Sequence, residues 1–164
     1  MNEVELTLVR PFYLKMMGLN ALRLTEELWA SLVATGRTVT VSEVGSMLRS
    51  GMWRPVVMGT WFSVVVPPEQ IIDDLVVAMS RSQGSLTAPP LAATATLVAG
   101  AGAVPAMITY LEFIMAPIRR DGSEDIVAAA VEHLGTQPPI IPSDKGRQAF
   151  RDILDVATSL RNAS

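Results

Sequence analysis

The sequence predicts an all-α protein of about eight helices, arranged as antiparallel helical pairs stacked in a HEAT-like array. Three observations predict it. Apolar residues recur at three- and four-residue spacing through most of the chain, and caps and breakers punctuate them at helical intervals. A stretch from Ser82 to Leu111 carries no charged side chain, yet Gly100-Ala101-Gly102-Ala103-Val104-Pro105 interrupts it. An apolar run of that length could cross a bilayer, but each arm on either side of the interruption is only about fourteen residues, too short to span alone. The stretch therefore reads as two buried helices of a soluble protein joined by a turn.

Each element follows from local chemistry. Val4, Leu6 and Leu8 alternate with Glu5 and Thr7, which predicts a short strand or extended arm over residues 1–10. Pro11 opens a short helix from Phe12 to Met17, which Gly18 closes. Thr25 caps a helix running to about Thr35, with Glu26 and Glu27 at its positive end and Leu28, Trp29, Leu32 and Val33 as its stripe. Thr40-Val41-Ser42-Glu43 has the form of a capping box, in which the hydroxyl and the carboxylate each satisfy a backbone amide of the other residue. It leads a helix through Val44, Met47 and Leu48 that stops at Gly51.

Residues 53–66 are ambiguous, because Trp61-Phe62-Ser63-Val64-Val65-Val66 is rich in strand formers. Length and the shared face of Trp53, Val57, Trp61 and Val64 or Val65 favour a buried helix. Pro67-Pro68 breaks it and starts 68–81, whose inner side carries Ile71, Ile72, Leu75, Val76 and Met79. Thr87 is placed to cap 88–100, and Pro105 to open 104–118. Ser123-Glu124-Asp125 begins 124–134, with Gly135 just past its end. A proline-rich connector, 136–143, precedes the last helix, 144–161, which Ser143-Asp144 caps and which should fray from Asn162. The expected pairs are 53–66 with 68–81, 88–100 with 104–118, and 124–134 with 144–161, a spacing of about thirty-five to forty residues.

Composition narrows the function. The chain of 164 residues fits one domain, 1–164, able to bury a core unaided. Only 18% of residues are charged, so the polar skin is thin, and a second copy of the chain is one way to cover the surplus apolar surface. With 13 basic against 16 acidic residues, a net charge of −3 and no basic block beyond Arg119-Arg120, a nucleic-acid partner is not expected. The absence of cysteine removes disulfides, thiolate nucleophiles and thiolate zinc sites, and fits the cytoplasm. Met1 to Glu5 lack the basic and apolar regions of a signal peptide. No membrane association is expected.

Catalytic chemistry is not expected either. The single histidine, His133, falls in the last turn of 124–134, where the negative helix end favours it. Asp73-Asp74 and Glu124-Asp125 read as solvated helix charges rather than metal ligands, and no cofactor motif occurs. Gly100 and Gly102 lack the third glycine and preceding strand of a dinucleotide fingerprint. The chain reads as no enzyme, with no metal and no cofactor. Four residues are the candidate binding positions. Trp53 and Arg54 stand at the head of an apolar helix, where Arg54 either stacks on an indole, pairs with Glu112 or forms an exposed hot spot with the tryptophans. Trp61 follows on the same face. Glu112, the one charge between Arg81 and Arg119, either holds a partner or marks that helix's wet face.

Several stretches together resemble a known family. Val9-Arg10-Pro11-Phe12-Tyr13-Leu14, Asn20-Ala21-Leu22-Arg23-Leu24, Trp53-Arg54-Pro55 with Gly59-Thr60-Trp61, and Gly102-Ala103-Val104-Pro105 leading to Tyr110-Leu111-Glu112 are similar to the bacterial domain-of-unknown-function family number six thousand. The resemblance covers roughly residues 8 to 135. It implies an all-helical, HEAT-like domain without an established activity.

Two functions are then expected. The first is a non-enzymatic helical-repeat module that binds another protein, as an immunity-type inhibitor or adaptor does. The alternative is a small apolar-ligand binder with a pocket between helices, lined by Met47, Met58, Met79, Met107, Met115 and Trp61.

Overall fold

The computed structural model describes residues 2–164 and is helical throughout, with no strand among those residues. Among the described residues nine α-helices follow one another: α1 Tyr13–Met16, α2 Glu26–Gly36, α3 Val41–Leu48, α4 Trp53–Phe62, α5 Ile72–Arg81, α6 Ala88–Ala99, α7 Val104–Ile114, α8 Ser123–His133 and α9 Asp144–Ala163. Short 3₁₀ turns at Asn20–Arg23, Ser63–Val65, Pro68–Gln70 and Gly100–Ala103 link them. The all-α array is as the caps and periodicity predict.

The extended arm or strand expected over residues 1–10 is corrected. Met1 lies outside the described residues, and Glu5–Val9 is wound as one wide helical turn, with the Arg10 amide donating to the Glu5 carbonyl at 3.0 Å. Leu8 and Val9 enter the core side by side while Leu6 stays exposed, so the alternation does not mark the two faces of a strand. The ambiguous 53–66 segment is helical. It tightens to a 3₁₀ turn after Phe62, so Val64 is buried beside Trp61 without a strand partner.

Several helix ends are set by the residues that the pattern names. Thr25 accepts from the Leu28 amide at 3.4 Å. In the capping box the Glu43 amide donates to Thr40 Oγ1 at 3.2 Å, and the Thr40 amide donates to Glu43 Oε2 at 2.8 Å. Ser143 accepts from the Gly146 amide at 3.0 Å, and Gly135, at φ +84°, ends α8. Other ends move. Thr87 does not cap α6; its hydroxyl bonds Ser82 Oγ at 2.6 Å and pins the loop before the helix instead. The helix expected over 104–118 stops at Ile114, because Pro117 has no amide and its ring crowds the preceding turn. Ile118 is left 94% exposed. The fraying expected from Asn162 is absent: α9 continues to Ala163, whose carbonyl accepts from the Arg37 guanidinium at 2.9 Å.

Helix partners inside the array differ in part from the expected pairs. The last expected pair packs directly, α8 on α9. The Asp125 carboxylate reinforces it by accepting from both the amide (2.7 Å) and the hydroxyl of Ser143. The other two expected pairs do not form. α4 packs chiefly on α3 rather than α5, and α6 and α7 scarcely touch each other; both pack instead on α5 and α8. Gly100, at φ +55°, lets the chain bend into the 3₁₀ turn, a backbone state that other residues resist.

Helix α6 lies at the centre. It meets α4, α5, α8 and α9, and every residue from Ala88 to Thr96 is buried. Alanine dominates it because neighbours approach on every side, and its threonine hydroxyls turn back onto the Leu91 and Ala92 carbonyls. By length and composition the helical stretch Ala88–Ile114 could cross a membrane; here half of its apolar window is buried inside the protein.

Candidate functional site

The head of α4 brings two of the four candidate residues together and adds a third that the sequence does not single out. Met52 is extended and α4 starts at Trp53, so Trp53 and Arg54 leave the first turn beside α1. Tyr13 of α1 meets the Trp53 ring edge to face, with centroids 5.6 Å apart. The Arg54 guanidinium lies over both rings, 5.4 Å from the Tyr13 centroid and 5.2 Å from that of Trp53. Arg54 is exposed while both rings are half-buried. This is the stacking alternative for Arg54; among the described residues it forms no ion pair with Glu112.

The other two candidates lie elsewhere. Trp61 is fully buried, and its indole N–H donates to the Met16 carbonyl at 2.8 Å, fixing α4 to the end of α1. It belongs to the core, not to a binding surface. Glu112 is exposed on α7, the wet face of a helix whose Tyr110, Leu111 and Ile114 are buried. Of the five methionines expected to line a ligand pocket, Met47, Met58, Met79 and Met107 are at most 1% exposed, and Met115 is half-buried.

Two surface grooves are present, and neither is lined by those methionines or by Trp61. One, of about 620 Å³, runs from Met52, Trp53 and Val56 across to Val77 and Arg81 of α5. The other, of about 790 Å³, lies between the loop after α1 and the starts of α8 and α9. Ser85, Leu86 and Asp121 line both, so the loop between α5 and α6 is the ridge dividing them.

A polar network holds that ridge. Asp121 accepts from the Ser85 amide at 2.7 Å, the Ser123 amide at 3.0 Å and the Ser123 hydroxyl. With its proton given to Asp121, the Ser123 oxygen is left to accept from the Tyr110 hydroxyl. Burial alone would raise the Asp121 carboxyl; the Ser123 and Ser85 bonds outweigh it and hold the group below its ordinary value. Burial pushes the Tyr110 hydroxyl well above the ordinary phenol range, and the Ser123 bond opposes this only in part. The chain Tyr110–Ser123–Asp121 looks like a proton relay, but it lacks an imidazole and Ser123 is 1% exposed. It clamps the start of α8 to the α5–α6 loop. Among the described residues no group of three histidine or carboxylate side chains is placed to hold a metal ion.

Fold and site together define an all-α protein with an exposed aromatic–arginine cluster beside an apolar groove. No family model, curated protein or solved structure matches this chain. The likeness to the bacterial family named above therefore rests on its motifs, several of whose residues serve packing here. Phe12 is buried edge-on against Phe62, and the Asn20 amide group donates to the Leu14 carbonyl at 2.7 Å.

Proposed function

We propose that this protein is a non-enzymatic interaction module that binds another protein through Tyr13, Trp53, Arg54 and the adjoining groove. It acts by occupying a partner's surface, as an adaptor or inhibitor does, without covalent chemistry. One observation carries the reading: Arg54 is held over two aromatic rings at the surface and, among the described residues, forms no ion pair or hydrogen bond within the fold. Preformed arginine–aromatic clusters are the residue types that dominate binding energy at interfaces, because they bury large area at little ordering cost. Beside the cluster Met52 is 60% exposed, which extends the apolar patch.

The test is recovery of native complexes from the source cells with tagged wild-type chain and with the Trp53→Ala/Arg54→Ala double variant. A partner at stoichiometric yield with the wild type, lost with the folded variant, is expected. Equal recovery by both, or none by either, overturns the proposal.

A further inference from the structure

We infer that the groove beside Trp53 receives an acidic segment of the partner protein, seated by one apolar side chain; this rests on the interaction reading above and specifies the partner's chemistry. The groove offers apolar walls already in water. Met52, Val77 and Leu86 line it and are 60%, 44% and 40% exposed, and the Trp53 ring forms the end nearest the Arg54 guanidinium. An aliphatic or aromatic side chain would cover them.

Charge selects what flanks that side chain. Arg49 and Arg81 line the groove and Arg54 adjoins it, in a chain whose net charge is −3. The carboxylates that line it are already committed. Asp74 is paired with Arg49, and Asp121 accepts from Ser85 and Ser123. Arg81 makes no ion pair among the described residues, and Arg54 contacts only ring faces there, which leaves its N–H donors unpaired. Arg54 and Arg81 each present a guanidinium fork able to bind an incoming carboxylate in bidentate fashion, whereas an incoming lysine would find no uncommitted carboxylate among the lining residues. A single-stranded nucleic acid would need free ring faces for its bases, and Arg54 already lies over one face of Tyr13 and of Trp53, both of them half-buried. Complementarity of this kind sets specificity and association rate, and salt weakens it.

The experiment pans displayed random peptides against the purified full chain at low salt, then titrates the enriched peptides by fluorescence anisotropy. Enriched peptides should carry Asp or Glu within a few residues of an aromatic or aliphatic residue. Their affinity should fall about tenfold or more in the Arg54→Ala/Arg81→Ala double variant and fall again at high salt. Arg81→Glu should shift the selection toward Lys and Arg. Circular dichroism of each variant should match the wild type. Enrichment of acid-free peptides that depends on Trp53 overturns the acidic partner and leaves the interaction reading standing. Displacement of the peptides by an oligothymidine at equal affinity also overturns it. Selection that no substitution at Trp53, Arg54 or Arg81 alters, or no selection at all, overturns both.

Discussion

Gly59 of α4 lies against Met47 of α3 so closely that a Cβ built on Gly59 would stand 2.9 Å from the Met47 Cβ and 3.0 Å from the Leu48 amide nitrogen. The two helices cross on this glycine, and only a residue without a side chain lets their backbones approach so far. Gly59→Ala should destabilise the protein by about 1–3 kcal/mol through overpacking, despite the gain of roughly 1 kcal/mol in helix propensity. Urea unfolding checks it. An alanine variant as stable as the wild type would mean that the helices can part at no cost.

Trp61 contributes both bulk and one hydrogen bond. Trp61→Phe keeps most of the ring but leaves the Met16 carbonyl without its donor, a loss of about 1–3 kcal/mol. Trp61→Ala adds a cavity and should cost about 3–5 kcal/mol. Thermal melts of the pair separate the two contributions: equal costs would show that the ring's bulk adds little, and a Trp61→Phe variant as stable as the wild type would show the same of the hydrogen bond.

The Asp121 clamp gives stability a pH dependence of defined sign. Its folded-state carboxyl lies below the ordinary value of 3.8, so its contribution is complete above that value and is lost as pH falls through the lower folded value. Wild-type stability should decline on acidification below about pH 4 more steeply than that of Asp121→Asn, which cannot titrate there. At neutral pH the variant should be less stable by about 1–2 kcal/mol, a modest figure because the residue is exposed. Parallel acid-unfolding curves for the two proteins would remove the clamp.

Arg54→Ala should leave stability within about 0.5 kcal/mol of the wild type, as expected for a surface side chain outside the packed core. A much larger loss would show that the Arg54 stack holds α1 to α4, and would take away the observation behind the interaction reading.

Gly100→Ala tests the bend between α6 and α7. No neighbour crowds a Cβ there, so the cost comes from the backbone alone, at φ +55° and ψ −134°. About 1–3 kcal/mol is expected in chemical denaturation, with the helical content of the folded state unchanged.

Much of the fold is legible locally. Thr25, the Thr40/Glu43 box, Ser143 and Gly135 act on backbone groups within one turn, and such bonds depend on nothing distant. Thr87 misleads because its hydroxyl had two partners within reach, the helix amides and Ser82, and the loop conformation chose Ser82. The site was half legible. Trp53 and Arg54 stand out as an aromatic beside a cation, whereas Tyr13, next to Phe12 near a helix start, carries no local signal that sets it apart. Arg81 and Asp121 carry no local signal, since their importance comes from the groove that neighbouring elements form.

The sequence by itself determined that the chain is all-helical, where most helices begin, and that the uncharged stretch from Ser82 to Leu111 bends at Gly100. Those outcomes follow from backbone hydrogen bonding, proline and glycine geometry, and the 3.6-residue period. Only the tertiary structure decided which helices touch. Apolar stripes are non-directional, and those of α6 and α7 suit each other no better than they suit α5 and α8. Close packing made that choice: the crossing at Gly59, the indole bond to Met16 and the Asp121 clamp fix the neighbours. That choice left Trp61 inside and Arg54 outside, stacked on Tyr13 at the surface.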